Sequence, residues 1–323
     1  MERTNMSTTG TYSPEGFMRN PTAPGFAARP STEVTFDVPR GACDCLTHIF
    51  GDPVEFPMAA GRTYTPQPAL VPEIQALHKA LHVDRVIIVH PTIYGTDNAC
   101  TLDALDDLGP TVARGIAVVD PNISPAELDR MHAAGMRGVR INLETVGLTD
   151  PEIARKRFRI AMEQVAKQAG WHIQVYTRPS IIEAIHDLLV ECPVPVAFDH
   201  FGGTKGEAGM AESGFALLLQ LLRSGKAYVK LSGPYLVSTQ GPSFPDLVPL
   251  AKAFIAANPE RVMWGTNWPH PHAVHGKGPA AMEITPLRQV DDGRIFNLLP
   301  QWAPDPAVRQ AILVDNPARL YGF

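Results

Sequence analysis

A chain of 323 residues, 45% hydrophobic and 19% charged, can bury a large core as one α/β domain or two ordinary ones. With 28 basic against 33 acidic side chains and a net charge of −5, it lacks the basic surface that nucleic acid or an anionic membrane requires. Cys43, Cys45, Cys100 and Cys192 form no C-x-x-C pair, zinc-finger spacing or disulfide framework, which points to a reducing cytoplasm. No apolar run approaches the roughly 18 residues of a membrane span.

Residues 1–35, rich in Ser, Thr, Pro and Gly without the basic start and apolar centre of a signal peptide, read as a loose arm ahead of a single domain over 36–323. From there two textures alternate. GACDCLTH (41–48) reads as a strand whose period of two places Asp44, Leu46 and His48 on one face. LVPEIQALHKAL (70–81) has helical period, RVIIVH (85–90) is a strand and NACTLDALDDL (98–108) a helix. ARGIAVV (113–119) is followed by SPAELDRMHAAG (124–135), where Ser124 and Glu127 have capping-box spacing and Gly135 stands where a helix ends. The alternation continues through RGVRINL (137–143), a helix over 151–168, WHIQVY (171–176), a helix over 180–191 and VPVAFDH (194–200). It closes with a helix over 213–225, AYVKLSG (227–233), a helix over 244–258, RVMWGTN (261–267) and a last helix over 304–321.

Nearly continuous apolar strands alternating with helices imply a parallel sheet covered by helices. Eight such units, with no G-x-G-x-x-G after the first strand, favour a closed (β/α)8 TIM barrel over a doubly wound nucleotide-binding sheet. On that fold the C-terminal strand ends form the active face. They carry His48, His90, Arg140, Tyr176, His200, Lys230 with Ser232, and Asn267 followed by His270. A histidine at a strand end is often a hydrogen-bonded structural group, and His78, His82, His132, His172 and His186 are assigned to that class. His200, between an apolar run and a Gly-Gly turn, reads as functional; His90 fits either reading.

The ordered set D-x-x-x-H-x-FGDP, YGTDN (94–98), RGVRINL, VAFDHFGG, VKLSGPY, RVMWGTNWPHP and NPARLYGF resembles the amidohydrolase superfamily over residues 41–323. More narrowly it is similar to the branch holding 2-pyrone-4,6-dicarboxylate lactonase, D-galactarolactone isomerase and 4-sulfomuconolactone hydrolase. The resemblance implies H-x-H ending strand one, a histidine ending strand six and an aspartate ending strand eight. Here those positions carry Leu46 with His48, then His200, then Asn267. A neutral amide is no general base and leucine no metal ligand, so His48, His90 and His200 remain as the set that would hold a zinc ion. The lactonase and the isomerase of this branch need no metal, and the isomerase shares both departures, so no cofactor is expected.

Arg140, with guanidinium geometry suited to a carboxylate, and the donors Lys230, Tyr176 and Tyr64 point to a small carboxylated lactone as partner. An ion pair of Arg140 with Glu144 or Asp199 is its structural alternative. Ser232, Tyr235 and the loop from Tyr94 to Asn98 are further pocket candidates, although Asp97 and Asn98 also suit helix capping. Three functions follow. In a lactone hydrolase His48 and His200 polarise the ring carbonyl while His90 or His270 activates water. In a lactone isomerase a substrate hydroxyl attacks, and no water-activating aspartate is needed. The third is an impaired Asp-to-Asn variant, or a barrel that binds without turnover. The sequence leaves the lactone's identity and the oligomeric state open.

Overall fold

In the computed structural model, which describes residues 32–272 and 281–323, each of the eight apolar runs forms a strand and alternate side chains part company. In the run Arg85–Val89, Val86 and Ile88 join the layer packed against the helices, while Ile87 and Val89 join a smaller inner cluster with Cys45, Ile116, Ala197, Tyr228 and Met263. Being buried on both faces is why these strands read as apolar throughout rather than alternating.

The strands are β1 (Cys43–Thr47), β2 (Arg85–Val89), β3 (Ala113–Ala117), β4 (Met136–Asn142), β5 (His172–Tyr176), β6 (Val196–Phe198), β7 (Ala227–Ser232) and β8 (Val262–Gly265), each parallel to the next. The helices between them are α1 (Val71–Leu81), α2 (Ala99–Leu108), α3 (Pro125–Ala133), α4 (Pro151–Val165), α5 (Pro179–Ala184), α6 (His186–Glu191), α7 (Phe215–Arg223) and α8 (Val248–Ala257). Short helices α9 (Asp292–Phe296), α10 (Leu299–Trp302), α11 (Pro306–Gln310) and α12 (Asn316–Tyr321) end the chain, and Tyr321 joins the inner cluster. α1 shows the logic of the outer layer. Val71, Ile74, Leu77, His78 and Leu81 form its buried face, and full burial of each such aliphatic side chain is worth about 1.5–3 kcal/mol.

The barrel closes at a seam between β8 and β1. Thr47 bridges Trp268, His48 N donates to Trp268 O at 2.8 Å, and Asn267 N donates to Leu46 O at 2.9 Å. Asp44 locks the seam from behind: its carboxylate accepts from Thr266 N at 2.9 Å and Thr266 Oγ1 at 2.6 Å, and it pairs with His78 of α1 at 3.2 Å. This corrects the expectation that Asp44, Leu46 and His48 share a face. The register of β1 against β2 shifts between Asp44 and Thr47, so Cys45 and Leu46 both enter the inner cluster.

Other differences are local. The helix expected over 180–191 breaks at Ile185, where φ −112° and ψ 14° leave the helical region and separate α5 from α6. The closing helix over 304–321 contains a π-type turn at Ala311–Asp315. Of the expected arm 1–35, residues 1–31 lie outside the described residues; Thr32 and Thr35 hydrogen-bond to Asp291 and Asn297. Among the described residues no helix is long and apolar enough to cross a membrane.

Candidate active site

The strand ends surround a cavity of about 200 Å³, lined by His48, Tyr64, Arg140, Asn142, Glu144, Thr145, Tyr176, His200, Lys205, Leu236, Asn267, Pro271 and Arg288. Comparable space holds a benzene-sized ring, so the natural occupant is a small molecule.

β6 is short because the chain turns left-handed after Asp199. His200, Phe201, Gly202 and Gly203 all have positive φ, and a Cβ on Gly203 would meet Thr177 O at 2.1 Å. This tight curl aims the His200 ring at β7, where its Nδ1 lies 3.3 Å from Ser232 O and 3.0 Å from Ser232 Oγ. Gly233 makes room for it, since a Cβ there would lie 2.9 Å from His200 Nδ1. Tyr176 packs edge-on against the ring, centroids 4.5 Å apart.

His48 is fixed in the same way, with Nδ1 at 2.7 Å from Val89 O. A carbonyl only accepts, so Nδ1 of His48 carries the hydrogen and its Nε2 keeps the lone pair; in His200 the Ser232 carbonyl calls for the same tautomer, with the Ser232 hydroxyl able to donate or accept beside it. Burial, reinforced by Arg140, lowers His48 to about 3. Burial likewise brings His200 down to about 4, with Asp199 opposing and Arg140 assisting. Both imidazoles are therefore neutral acceptors near pH 7. Burial pushes the Tyr64 phenol up to about 12, so its hydroxyl keeps a proton to donate into the cavity.

Beneath the cavity lies a buried charge cluster. Asp199 pairs with Lys230 at 3.3 Å and with Arg140 at 3.6 Å, and accepts Gln174 Nε2 at 2.8 Å. Burial opposes the Asp199 charge, yet Lys230 and Arg140 together outweigh it and hold the carboxyl below its ordinary range. Two cations against one carboxylate leave an excess positive charge. Arg140 also reaches His90 O only at 3.4 Å, so its guanidinium is loosely held and has donors to spare. Arg140 thus makes the expected ion pair with Asp199 and lines the cavity as well. Lys205 and Arg288 add two more cations, while Glu144 is neutralised by a fork from Arg178 at 2.6 and 3.0 Å.

Of the residues expected at the site, His48, Tyr64, Arg140, Tyr176, His200 and Asn267 are brought together on the cavity wall. The rest stand behind it. Lys230 is fully buried against Asp199, and Ser232 orients His200. His90 has both ring nitrogens bonded, to Thr101 at 3.0 Å and Gly95 O at 3.1 Å, which gives it the structural one of its two readings. Tyr94 accepts Gly51 N at 3.0 Å, and Asp97 caps α2 through Ala99 N at 3.0 Å. His270 lies between Tyr235 Oη and Asp292 Oδ2, 2.9 Å from each. Lys205 and Arg288 also line the cavity, although neither ends a strand. Lys205 sits two residues beyond Gly203, a usable signal; Arg288 is placed near the short parallel pairing of Thr65–Pro66 with Ile284–Thr285, which has no local pattern.

The donor set does not suit a catalytic zinc ion, which takes three protein ligands. His48 and His200 offer one nitrogen each, His90 Nε2 is committed to Gly95, and Leu46 and Asn267 replace the remaining donors. Among the described residues no group of three His, Cys, Asp or Glu side chains could hold a metal ion.

Comparison with known proteins bears on the family and the fold. The family model described as Amidohydrolase matches residues 43–323. The chain is 35% identical to the 2-pyrone-4,6-dicarboxylate hydrolase of Comamonas testosteroni, over 88% of this chain and 92% of that one. It is 33% identical to the 4-sulfomuconolactone hydrolase of Rhizobium radiobacter (90% and 93% covered) and 30% identical to the D-galactarolactone isomerase of Agrobacterium fabrum (88% and 91%). An apo crystal structure from Agrobacterium tumefaciens superimposes with TM-score 0.73 at 25% identity, covering 91% of this chain and 98% of the other.

Proposed function

The chain belongs to the amidohydrolase family and is an enzyme of that superfamily, and we propose that it acts on lactones, hydrolysing the ring ester of a small carboxylated lactone without a required metal. The observation that carries the reading is the pairing of two neutral imidazoles, Nε2 lone pairs free, with the loosely held Arg140 guanidinium in one small cavity. Arg140, Lys205 and Arg288 would bind carboxylates, and the tyrosine hydroxyls and a cation would receive the carbonyl oxygen.

In this reading a water molecule hydrogen-bonded to the imidazoles attacks the ring carbonyl carbon and His200 Nε2 takes its proton. The carbonyl carbon–ring oxygen bond then breaks, and His200 returns that proton to the departing oxygen. Arg140 couples binding to basicity. Its charge helps to lower both histidines, so a substrate carboxylate that neutralises it raises their affinity for a proton when substrate is present. The four free buried cysteines fit a reducing compartment, and we place the enzyme in the cytoplasm.

Asn267 favours one second reading. An amide where a carboxylate base is usual suits an isomerase, in which a substrate hydroxyl attacks and no water is consumed. Incubating chelator-treated enzyme with a dicarboxylated lactone, followed by NMR with acid release measured in parallel, tests both. A ring-opened acid supports hydrolysis, a rearranged lactone without acid release supports isomerisation, and no turnover defeats both.

A further inference from the structure

Behind Asn267 runs a buried line of four side chains. Asn267 Nδ2 is 3.0 Å from Tyr235 Oη, Tyr235 Oη is 2.9 Å from His270 Nδ1, and His270 Nε2 is 2.9 Å from Asp292 Oδ2. His270 and Asp292 are 0% and 1% exposed as side chains, so water does not substitute for these bonds. Each group has a fixed donor or acceptor capacity, and with Asp292 ionised the line has one arrangement that satisfies all of it. The Asp292 carboxylate accepts, so Nε2 of His270 carries a hydrogen and Nδ1 is left to accept. The Tyr235 hydroxyl then gives its single proton to Nδ1 and can only accept from Asn267. The Asn267 amide nitrogen is consequently the donor to Tyr235, which leaves the carbonyl Oδ1 of this cavity-lining residue outside the line. With an imidazolium instead, Tyr235 Oη would face two donors and keep a proton with no acceptor in the line.

We propose that Asp292 is a positioning residue that, through His270 and Tyr235, fixes the Asn267 side-chain carbonyl as a third hydrogen-bond acceptor beside His48 Nε2 and His200 Nε2. Acceptors grouped on the cavity wall hold a hydroxyl-bearing nucleophile with its protons toward them and its lone pair free to attack. An inverted amide would present two N–H donors and turn the nucleophile's lone pair away from the carbonyl carbon. The inference rests on the lactone reading for the nucleophile's role, but the polarity of the line stands without it.

Two measurements separate these levels. Long-range 1H–15N spectra of the imidazoles need no substrate: native His270 is expected as the Nε2–H tautomer, and a resting Nδ1–H tautomer or imidazolium at pH 7 overturns the proposal. Where turnover is observed, Asp292→Asn is expected to lower kcat about ten- to hundredfold with KM within about twofold, the size of a misoriented reacting group. In an Asn267→Ala background the same substitution is expected to cost less than about twofold, because coupled residues are non-additive. Tyr235→Phe keeps the ring packing and should repeat the pattern if Asp292→Asn does not fold. Equal losses in both backgrounds would show that Asp292 acts through general structure and would overturn the proposal. If no lactone is turned over, the functional reading fails, and the tautomer alone decides this one.

Discussion

The backbone N–H of Asn267 donates to the carbonyl of Leu46 across the barrel seam at 2.9 Å, so the two positions that depart from the family's H-x-H and aspartate are bonded neighbours. A hydrocarbon and an amide thus replace a ligand and a base at one spot. Leucine offers no metal ligand and the amide no negative charge, and in the function proposed above proton handling falls to His48 and His200.

His200→Ala is expected to reduce kcat by about 10²–10⁴ at pH 7, the usual worth of an acid–base group. Its melting temperature should fall while the protein stays folded, because the buried ring gives up two Ser232 contacts and the edge packing of Tyr176. Steady-state kinetics and calorimetry on one preparation check both; full activity would assign proton transfer to another group.

Asn267→Asp is expected to raise hydrolysis at pH 7, on the order of tenfold, by adding an ionised proton acceptor beside the nucleophile. An isomerase would gain nothing and would lose rate, since the new charge opposes a developing oxyanion. Initial rates of acid release for the two proteins decide the matter.

The pH dependence follows from the lowered histidines. His48 at about 3 and His200 at about 4 bind protons less readily in the folded protein than in the unfolded chain, whose value is near 6.5. Their contribution to stability is complete above about pH 6.5 and is lost as the pH falls from there toward 4 and 3. Denaturant midpoints should therefore drop between pH 6.5 and 4. The acid limb of kcat/KM should lie near pH 4, not 6.5. Arg140→Gln, which removes one lowering charge, should move that limb upward and raise KM for a carboxylated substrate about a hundredfold, as loss of a buried charged donor does.

Dialysis against a strong chelator is expected to leave activity within about 20% of the untreated enzyme, because two imidazole nitrogens fall short of a three-ligand zinc site. Elemental analysis after purification without added metal should find zinc well below one per chain. Loss of activity on dialysis with recovery on zinc addition would revive the metallohydrolase chemistry.

The sequence displayed the barrel because burial on both faces makes each strand a continuous apolar run, a signal that does not depend on distant contacts. Parts of the site were legible for a related reason. Residues ending a barrel strand face the axis, which brought His48, Arg140, Tyr176, His200 and Asn267 to one wall. Arg140 and Lys230 each lie two residues inside their strands, yet only Arg140 lines the cavity, while Lys230 stays buried against Asp199. His90 and His270 follow their strands, but the turns after them carry hydrogen-bond partners whose positions no local pattern announces: Gly95 O in one case, and Asp292 from α9 in the other. The register shift in β1 was hidden because Cys45 and Leu46 are both apolar and give no sign of which faces inward. Arg288 is held by its backbone N–H to His270 O at 3.0 Å and by the Tyr235 ring, contacts that periodicity does not encode.

The most direct measurement is an isotope experiment. Chelator-treated enzyme is incubated with a dicarboxylated lactone in H2(18)O and the products are resolved by mass spectrometry. Attack of water on the ring carbonyl is expected to place one 18O atom in the newly formed carboxylate of a ring-opened acid. Recovery of an unlabelled, rearranged lactone would contradict hydrolysis, and recovery of unchanged lactone alone would contradict catalysis on this substrate class.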